Sequence, residues 1–262
     1  MNENSFLRIG AVQSNHIMNV SENLNRAKQI INDISDKCDV IVFPELYSTG
    51  YYMNEQYLNN SAENVDDHFI SEIKIIAKLN DVFIFMPFLE RKKDRIYNSV
   101  AIISNKGKVL GVKRKSINWK PENGIINEGV LNENLEIYEI NDFKIGVLIC
   151  YEASFPENAR ALALKNCDII VIPSFWSDSA LNHWIIQLCA RALDNNVYVL
   201  GVNGLLDNNS CGNTMGVLPD GNIDISLEKN EGVLYFKIDS EKLNEIQKRI
   251  PYFIDYLEYF ES

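Results

Sequence analysis

KIGVLICYEASFPENARAL, residues 144–162, is the stretch on which the architecture turns. Ile145, Val147, Leu148, Ile149 and Cys150 are apolar and Gly146 stands among them, so the run reads as a strand buried on both faces. Tyr151 and Glu152 come next, and Pro156 and Glu157 then open a helix rich in alanine and leucine. The thiol of Cys150 therefore sits where a buried strand meets the loop before a helix. A cysteine on a buried strand is by default a small core hydrophobe, so its place at a strand end needs a reason.

On either side of this stretch, apolar runs of strand length alternate with amphipathic segments. Residues 7–13 and 39–45 read as strands, with a helix over 21–37 capped by Ser21 between them and a second helix over 66–80. Strands at 82–90, 96–104 and 109–116, joined by a charged turn and by NKGK, read as successive hairpins. Beyond residues 144–162, with their helix over about 156–166, a strand at 168–174, a helix at 181–195 and a strand at 197–203 restore the alternation. Three short strands broken by PDG at 219–221 and a helix near 240–249 complete the chain. Helix units interleaved with hairpins predict an α/β chain of the α+β kind, with mixed sheets, outer helices and two halves packed sheet against sheet. No repeat or linker interrupts the 262 residues, so they are expected to form a single domain, 1–262.

Composition narrows the function. A net charge of -11 sets the protein's own field against phosphate backbones and anionic lipid, so neither nucleic acid nor membrane is an expected partner. The opening MNENSFLRIG lacks the order of a secretory signal, and no apolar run is long enough to span a bilayer, which points to the cytoplasm. The five cysteines are scattered without a Cys-x-x-Cys pair and the three histidines without ligand spacing, so no disulfide framework and no metal is expected.

Functional groups in α/β sheets collect at the carboxyl ends of strands. Here those ends carry Glu45, the Lys113–Lys115 run and Cys150, which are a carboxylate, ammonium groups and a thiol. Attack on an unreactive carbonyl carbon needs these three types: a thiolate, a base for its proton and a cation for the oxyanion. Each alone has a plain reading as core residue, cap or solvated turn. Tyr47, Tyr51, Phe175 and Trp176 are candidate pocket aromatics, while Glu152 and Glu157 read as charges at a helix start and His183, Gln187 and Arg191 as a packing face.

VFPELYSTGY (42–51), GKVLGVKRKS (107–116) and LICYEASFPENARAL (148–162) together resemble the three signature segments of the nitrilase, or carbon–nitrogen hydrolase, superfamily. The likeness extends to IYNSVAIIS, ARALDNNVYVLGVNG (190–204) and GNTMGVLPDG (212–221), nearly the whole chain. It implies a four-layer α-β-β-α sandwich with Glu45 as general base, Lys115 as cation and Cys150 as nucleophile. A second glutamate is implied after the lysine, for which Glu122 is the better match and Glu128 the other candidate. Substrate-contacting groups are Tyr51, Tyr151 and Trp176, with the Tyr151 N–H turned to the developing oxyanion. No cofactor is implied, and copies of the chain are expected to pair as homodimers or larger assemblies, with the 181–195 helix and its Trp184, Ile185, Ile186 and Leu188 at the contact.

The chain departs from the common pattern at Lys113, where an aromatic is usual, and at Ile117, where a histidine is usual. Tyr-Glu-Ala stands after the cysteine in place of the Trp-Glu-His of nitrile-cleaving members, which resembles the amidase and carbamoylase side. The expected activity is hydrolysis of a non-peptide C–N bond in a small linear amide through a cysteine thioester, with ω-amidase chemistry as one form. An N-carbamoyl amine hydrolase and a non-catalytic binding member of the fold are the alternatives, besides a Cys-His hydrolase using His183 or His68. Lys120, Arg160 and Arg191 are candidate partners for a substrate carboxylate.

Overall fold

The computed structural model describes residues 5–131, 135–206 and 209–260. Strand β1 (Phe6–Gln13) leads through helix α1 (Val20–Ile34) to β2 (Val40–Val42). Helices α2 (Glu55–Ser61) and α3 (His68–Leu79) precede the meander β3 (Phe83–Lys92), β4 (Arg95–Ile103) and β5 (Val109–Arg114). The second half runs β6 (Ile137–Ile140), β7 (Phe143–Val147), α4 (Pro156–Ala163), β8 (Ile169–Ser174), α5 (Leu181–Asn195), β9 (Tyr198–Asn203), β10 (Met215–Val217) and β11 (Ile223–Ser226). Strand β12 (Gly232–Asp239) and helices α6 (Ser240–Arg249) and α7 (Tyr252–Phe260) close the order.

The strands form two six-stranded sheets, in the orders β12-β1-β2-β3-β4-β5 and β11-β10-β9-β8-β7-β6. Each has a parallel centre, β1-β2-β3 in one and β7-β8-β9 in the other, flanked by antiparallel strands. Parallel neighbours need crossovers, and the helices provide them. One apolar core lies between the sheets, with Ile9, Val42, Phe85 and Val100 from the first meeting Ile145, Val171, Leu200 and Val202 from the second. A second core joins the first sheet to α1 and α3 through Leu24, Ile31, Phe69 and Ile73, and a third joins the second sheet to α4 and α5 through Leu162, Trp184 and Leu188. The layers are helix, sheet, sheet, helix, as the alternation predicts. Close approach explains one glycine: a Cβ on Gly201 of β9 would lie 2.4 Å from Leu188 Cδ1 and 2.5 Å from Trp184 Cζ2, so α5 rests directly on bare backbone.

Several local expectations change. The cap of α1 is Asn19, whose side chain accepts from Glu22 N at 3.1 Å, and Ser21 lies inside the helix. The strands expected over 39–45 and 144–150 stop at Val42 and Val147, because the backbone leaves the ladder there to present Glu45 and Cys150. Helices α2 and α7 are additions to the sequence reading; α2 is a short piece capped by Asn54, and α7 begins directly after Pro251. On α5, Trp184 and Leu188 face the sheet, while Ile186 is exposed and Ile185 half-buried, so the face available to another copy is narrower than expected. Among the described residues no helix is long and apolar enough to cross a membrane.

Candidate active site

Three strand ends converge. Glu45 lies beyond β2, Lys115 beyond β5 and Cys150 beyond β7, and all three are buried, with Glu45 and Lys115 wholly enclosed. Lys115 Nζ donates to Glu45 Oε1 at 2.8 Å and to both oxygens of Glu122 at 3.0 and 2.7 Å. Glu122 arrives on the 3-10 turn Lys120–Glu122, where its Oε2 also accepts from Trp119 N at 2.6 Å. Of the two candidates for the second glutamate, Glu122 lies in the cluster; Glu128 accepts from Asn118 N instead.

Asn98 belongs to the same group and sequence reasoning passed over it. It sits on β4 between the two carboxylates, and its Nδ2 donates to Glu45 Oε1 at 2.8 Å and to Glu122 Oε1 at 3.0 Å. The sequence offers only a polar residue within the apolar run IYNSVAIIS; its full burial, which obliges such a side chain to find partners, is seen in the structure alone.

Cys150 opens the 3-10 turn Cys150–Ser154 with φ of 47°, in the left-handed region that non-glycine residues seldom adopt. Such a conformation costs on the order of 1–3 kcal/mol and persists only where its surroundings fix it. Glu152 supplies the fixing. Its Oε2 accepts from Ile149 N at 2.7 Å, its Oε1 from Ser116 N at 2.8 Å and from Lys113 Nζ at 2.8 Å, and its backbone carbonyl from Asn158 Nδ2 at 3.0 Å. Read from sequence as a charge at a helix start, Glu152 is instead a buried tie between the cysteine turn and the segment carrying Lys115. Lys113, expected on a solvated turn, is 1% exposed, as is its partner. Side chains two apart on a strand share a face, so Lys113 and Lys115 point inward together while Arg114 turns the other way to Glu90.

The proton affinities result from this packing. Burial raises that of Glu45, the neighbouring Glu122 adds to it, and Lys115 works against both. Burial and then Glu45 push the Cys150 thiol well above its ordinary range, opposed by Lys115 and by a backbone hydrogen bond at Phe175 that favours the thiolate. Burial disfavours the charge on Lys115, but Glu45, Cys150 and Glu122 outweigh it and hold the ammonium. Cys150 is near enough to influence Glu45, whose Oε2 has no well-formed hydrogen bond. Cys150, Glu45 and Lys115 thus lie close enough to set one another's proton affinity. Burial also pushes Cys38 and Cys211 up to about 11 and Cys167 to about 12, so geometry and not proton affinity distinguishes Cys150 from them.

A pocket of about 400 Å3 opens onto Cys150. Tyr51, Tyr151 and Trp176 line it, together with Phe175, which stacks on Tyr51 with ring centres 5.1 Å apart. Tyr47 does not: it is buried behind the site against Phe43 and His16. His183 and Gln187, assigned from sequence to a packing face, also line the pocket.

The carbon-nitrogen hydrolase family model matches residues 8–248. The chain is 29% identical over 247 residues to a 2-oxoglutaramate amidase of Bacillus subtilis, covering 90% of this chain and 91% of the relative. It is 28% identical over 248 residues to the omega-amidase NIT2 of Xenopus tropicalis, covering 88% of each. Among solved structures, XC1258 from Xanthomonas campestris, a CN-hydrolase superfamily protein, superposes with a TM-score of 0.87 at 20% identity over 96% of this chain and 97% of that one, which shows a shared fold.

Proposed function

The chain belongs to the carbon–nitrogen hydrolase family, and on that footing we propose that it hydrolyses small linear amides through a thioester on Cys150, with Glu45 as general base and Lys115 as the oxyanion's cation. The observation that carries this reading is the Lys115 ammonium bridging Glu45 and Glu122, with the Cys150 thiol close enough to bear on the proton affinity of both Glu45 and Lys115.

The chemistry runs on those groups. Substrate displaces water from the pocket, and the Cys150 proton passes to Glu45 as the sulfur forms its bond to the amide carbon. The carbonyl oxygen takes the displaced electron pair, held by Lys115 Nζ and by the Tyr151 N–H, which precedes the first hydrogen bond inside its turn, Glu152 N to Ile149 O. Glu45 returns the proton to nitrogen, the C–N bond breaks and ammonia leaves. Water then attacks the thioester while Glu45 takes its proton, and the carboxylic acid departs as the thiol re-forms. Glu122 and Asn98 keep Lys115 and Glu45 in place through both halves.

The same reading has copies of the chain pairing through outer helices, where Ile186 of α5 and Ile254, Leu257 and Phe260 of α7 are exposed. It also sets the reaction in the cytoplasm, which suits five cysteines that are all unpaired.

An ammonia-release screen over aliphatic amides, ω-amides, nitriles and N-carbamoyl amines tests the reaction class. Amides are expected to lead, with activity lost in Cys150→Ala. A clear preference for nitriles or carbamoyl amines contradicts the substrate assignment, and an active Cys150→Ala protein contradicts the mechanism.

A further inference from the structure

The walls of the pocket bear on the acyl part of the substrate. Tyr51, Trp119, Tyr151, Phe175 and Trp176 give it an aromatic lining. Its polar side chains include the neutral Ser154, Ser177, Gln187 and Asn209, beside His183. No lysine or arginine lines the pocket among the described residues, and residues 1–4, 132–134, 207–208 and 261–262 contain neither.

Lys120, next in sequence to the lining Trp119, is exposed and outside the lining, and the other nearby cations have partners of their own. Lys115 makes three contacts to carboxylate oxygens, at 2.8, 3.0 and 2.7 Å. Lys113 is closed into its pair with Glu152. Arg191 binds the far side of the cysteine turn, donating to Ala153 O at 2.9 Å. Arg160 lies 4.1 Å over the Tyr256 ring and donates to Asp194 O. Arg160, Arg191 and Lys120, the three groups singled out for a substrate carboxylate, do not line the pocket. The charges close to the pocket add to the case: Glu45 and Glu122 lie against the single ammonium beneath Cys150, and Asp178 stands next to Ser177 at the wall, paired outward with Lys229.

A carboxylate entering this pocket would lose its water with no cation to replace it and would approach carboxylates already in place. An aromatic-lined wall, by contrast, gains from covering apolar surface. We propose that the pocket selects amides whose acyl part is uncharged and apolar or aromatic, and that it discriminates against amides ending in a carboxylate. The inference rests on the amidase reading for its chemistry and on the lining for its selectivity.

The test compares two amides of matched shape: glutaramate, and 5-methylhexanamide, in which an isopropyl group stands in for the carboxylate. At about pH 8, above the ordinary range of an imidazole, kcat/KM for ammonia release is expected to be about tenfold or more higher for the neutral compound. Protection of Cys150 from iodoacetamide by the same two compounds reads occupancy without turnover and should show the same order. Equal or better turnover or protection by glutaramate overturns the proposal. If neither amide is cleaved, the amidase reading fails while the order of protection still decides the pocket's preference. Ser154→Arg, which adds a guanidinium to the wall, is expected to narrow the ratio by about tenfold; a folded variant with the original ratio contradicts charge as the cause.

Discussion

In the proposed mechanism Glu45 answers two opposed demands, since it has to take a proton from a thiol and give one to a leaving amine. Burial serves both by raising its proton affinity above the ordinary carboxylate level, while Lys115 works in the opposite direction and favours the ionised form. On that mechanism the free enzyme works only with Glu45 ionised, so kcat/KM should fall as pH drops through a value above the ordinary glutamate pKa of about 4.3. An acid limb at the ordinary value, or a Glu45→Gln protein that keeps more than about a hundredth of its turnover, contradicts the assignment. Glu45 and Cys150 were candidates because each ends an apolar run in a reactive side chain, but only the likeness of their segments to the family signatures raised them above the plain readings as cap and core residue. Glu122 was harder to separate from Glu128, since loop residues carry no periodicity. Asn98, Lys113 and Glu152 gave no signal by type, because burial and partners decide what such side chains do, and both come from distant parts of the chain.

The elements β5 and the cysteine turn act as one unit through the pair Lys113 and Glu152. Breaking a wholly buried pair leaves a charge without compensation, which costs about 3–5 kcal/mol. Urea denaturation of Lys113→Ala should show a loss of that size, and the combination Lys113→Met with Glu152→Gln should lose less than half as much. Equal losses in the two proteins would mean that packing, and not the charge, is what the pair supplies. The alternation of strands and helices was read correctly because both periods are long and apolar. Element ends were read less well: β2 and β7 stop short of Glu45 and Cys150, since residues held in the ladder could not turn into the site. The short α2 and the polar-to-aromatic α7 fall below what periodicity can resolve.

For the whole molecule, the two sheets and their outer helices result from alternating units interrupted by hairpins, whereas pairing of copies depends on an outer surface that no local pattern specifies. Light scattering at micromolar concentration should give at least twice the 30.0 kDa of one chain, and a mass of one chain would contradict pairing. The mechanism stands or falls on a covalent step, in which the reaction divides at a thioester on Cys150. Rapid acid quench of the protein with a cleaved amide, then intact-mass measurement and peptide mapping, reads that step itself. The expected result is one acyl group per chain, carried by the Cys150 peptide, appearing as ammonia is released and absent from Cys150→Ala. Turnover with no acyl mass on the protein under conditions that trap the intermediate, or an acyl group on another residue, would contradict it.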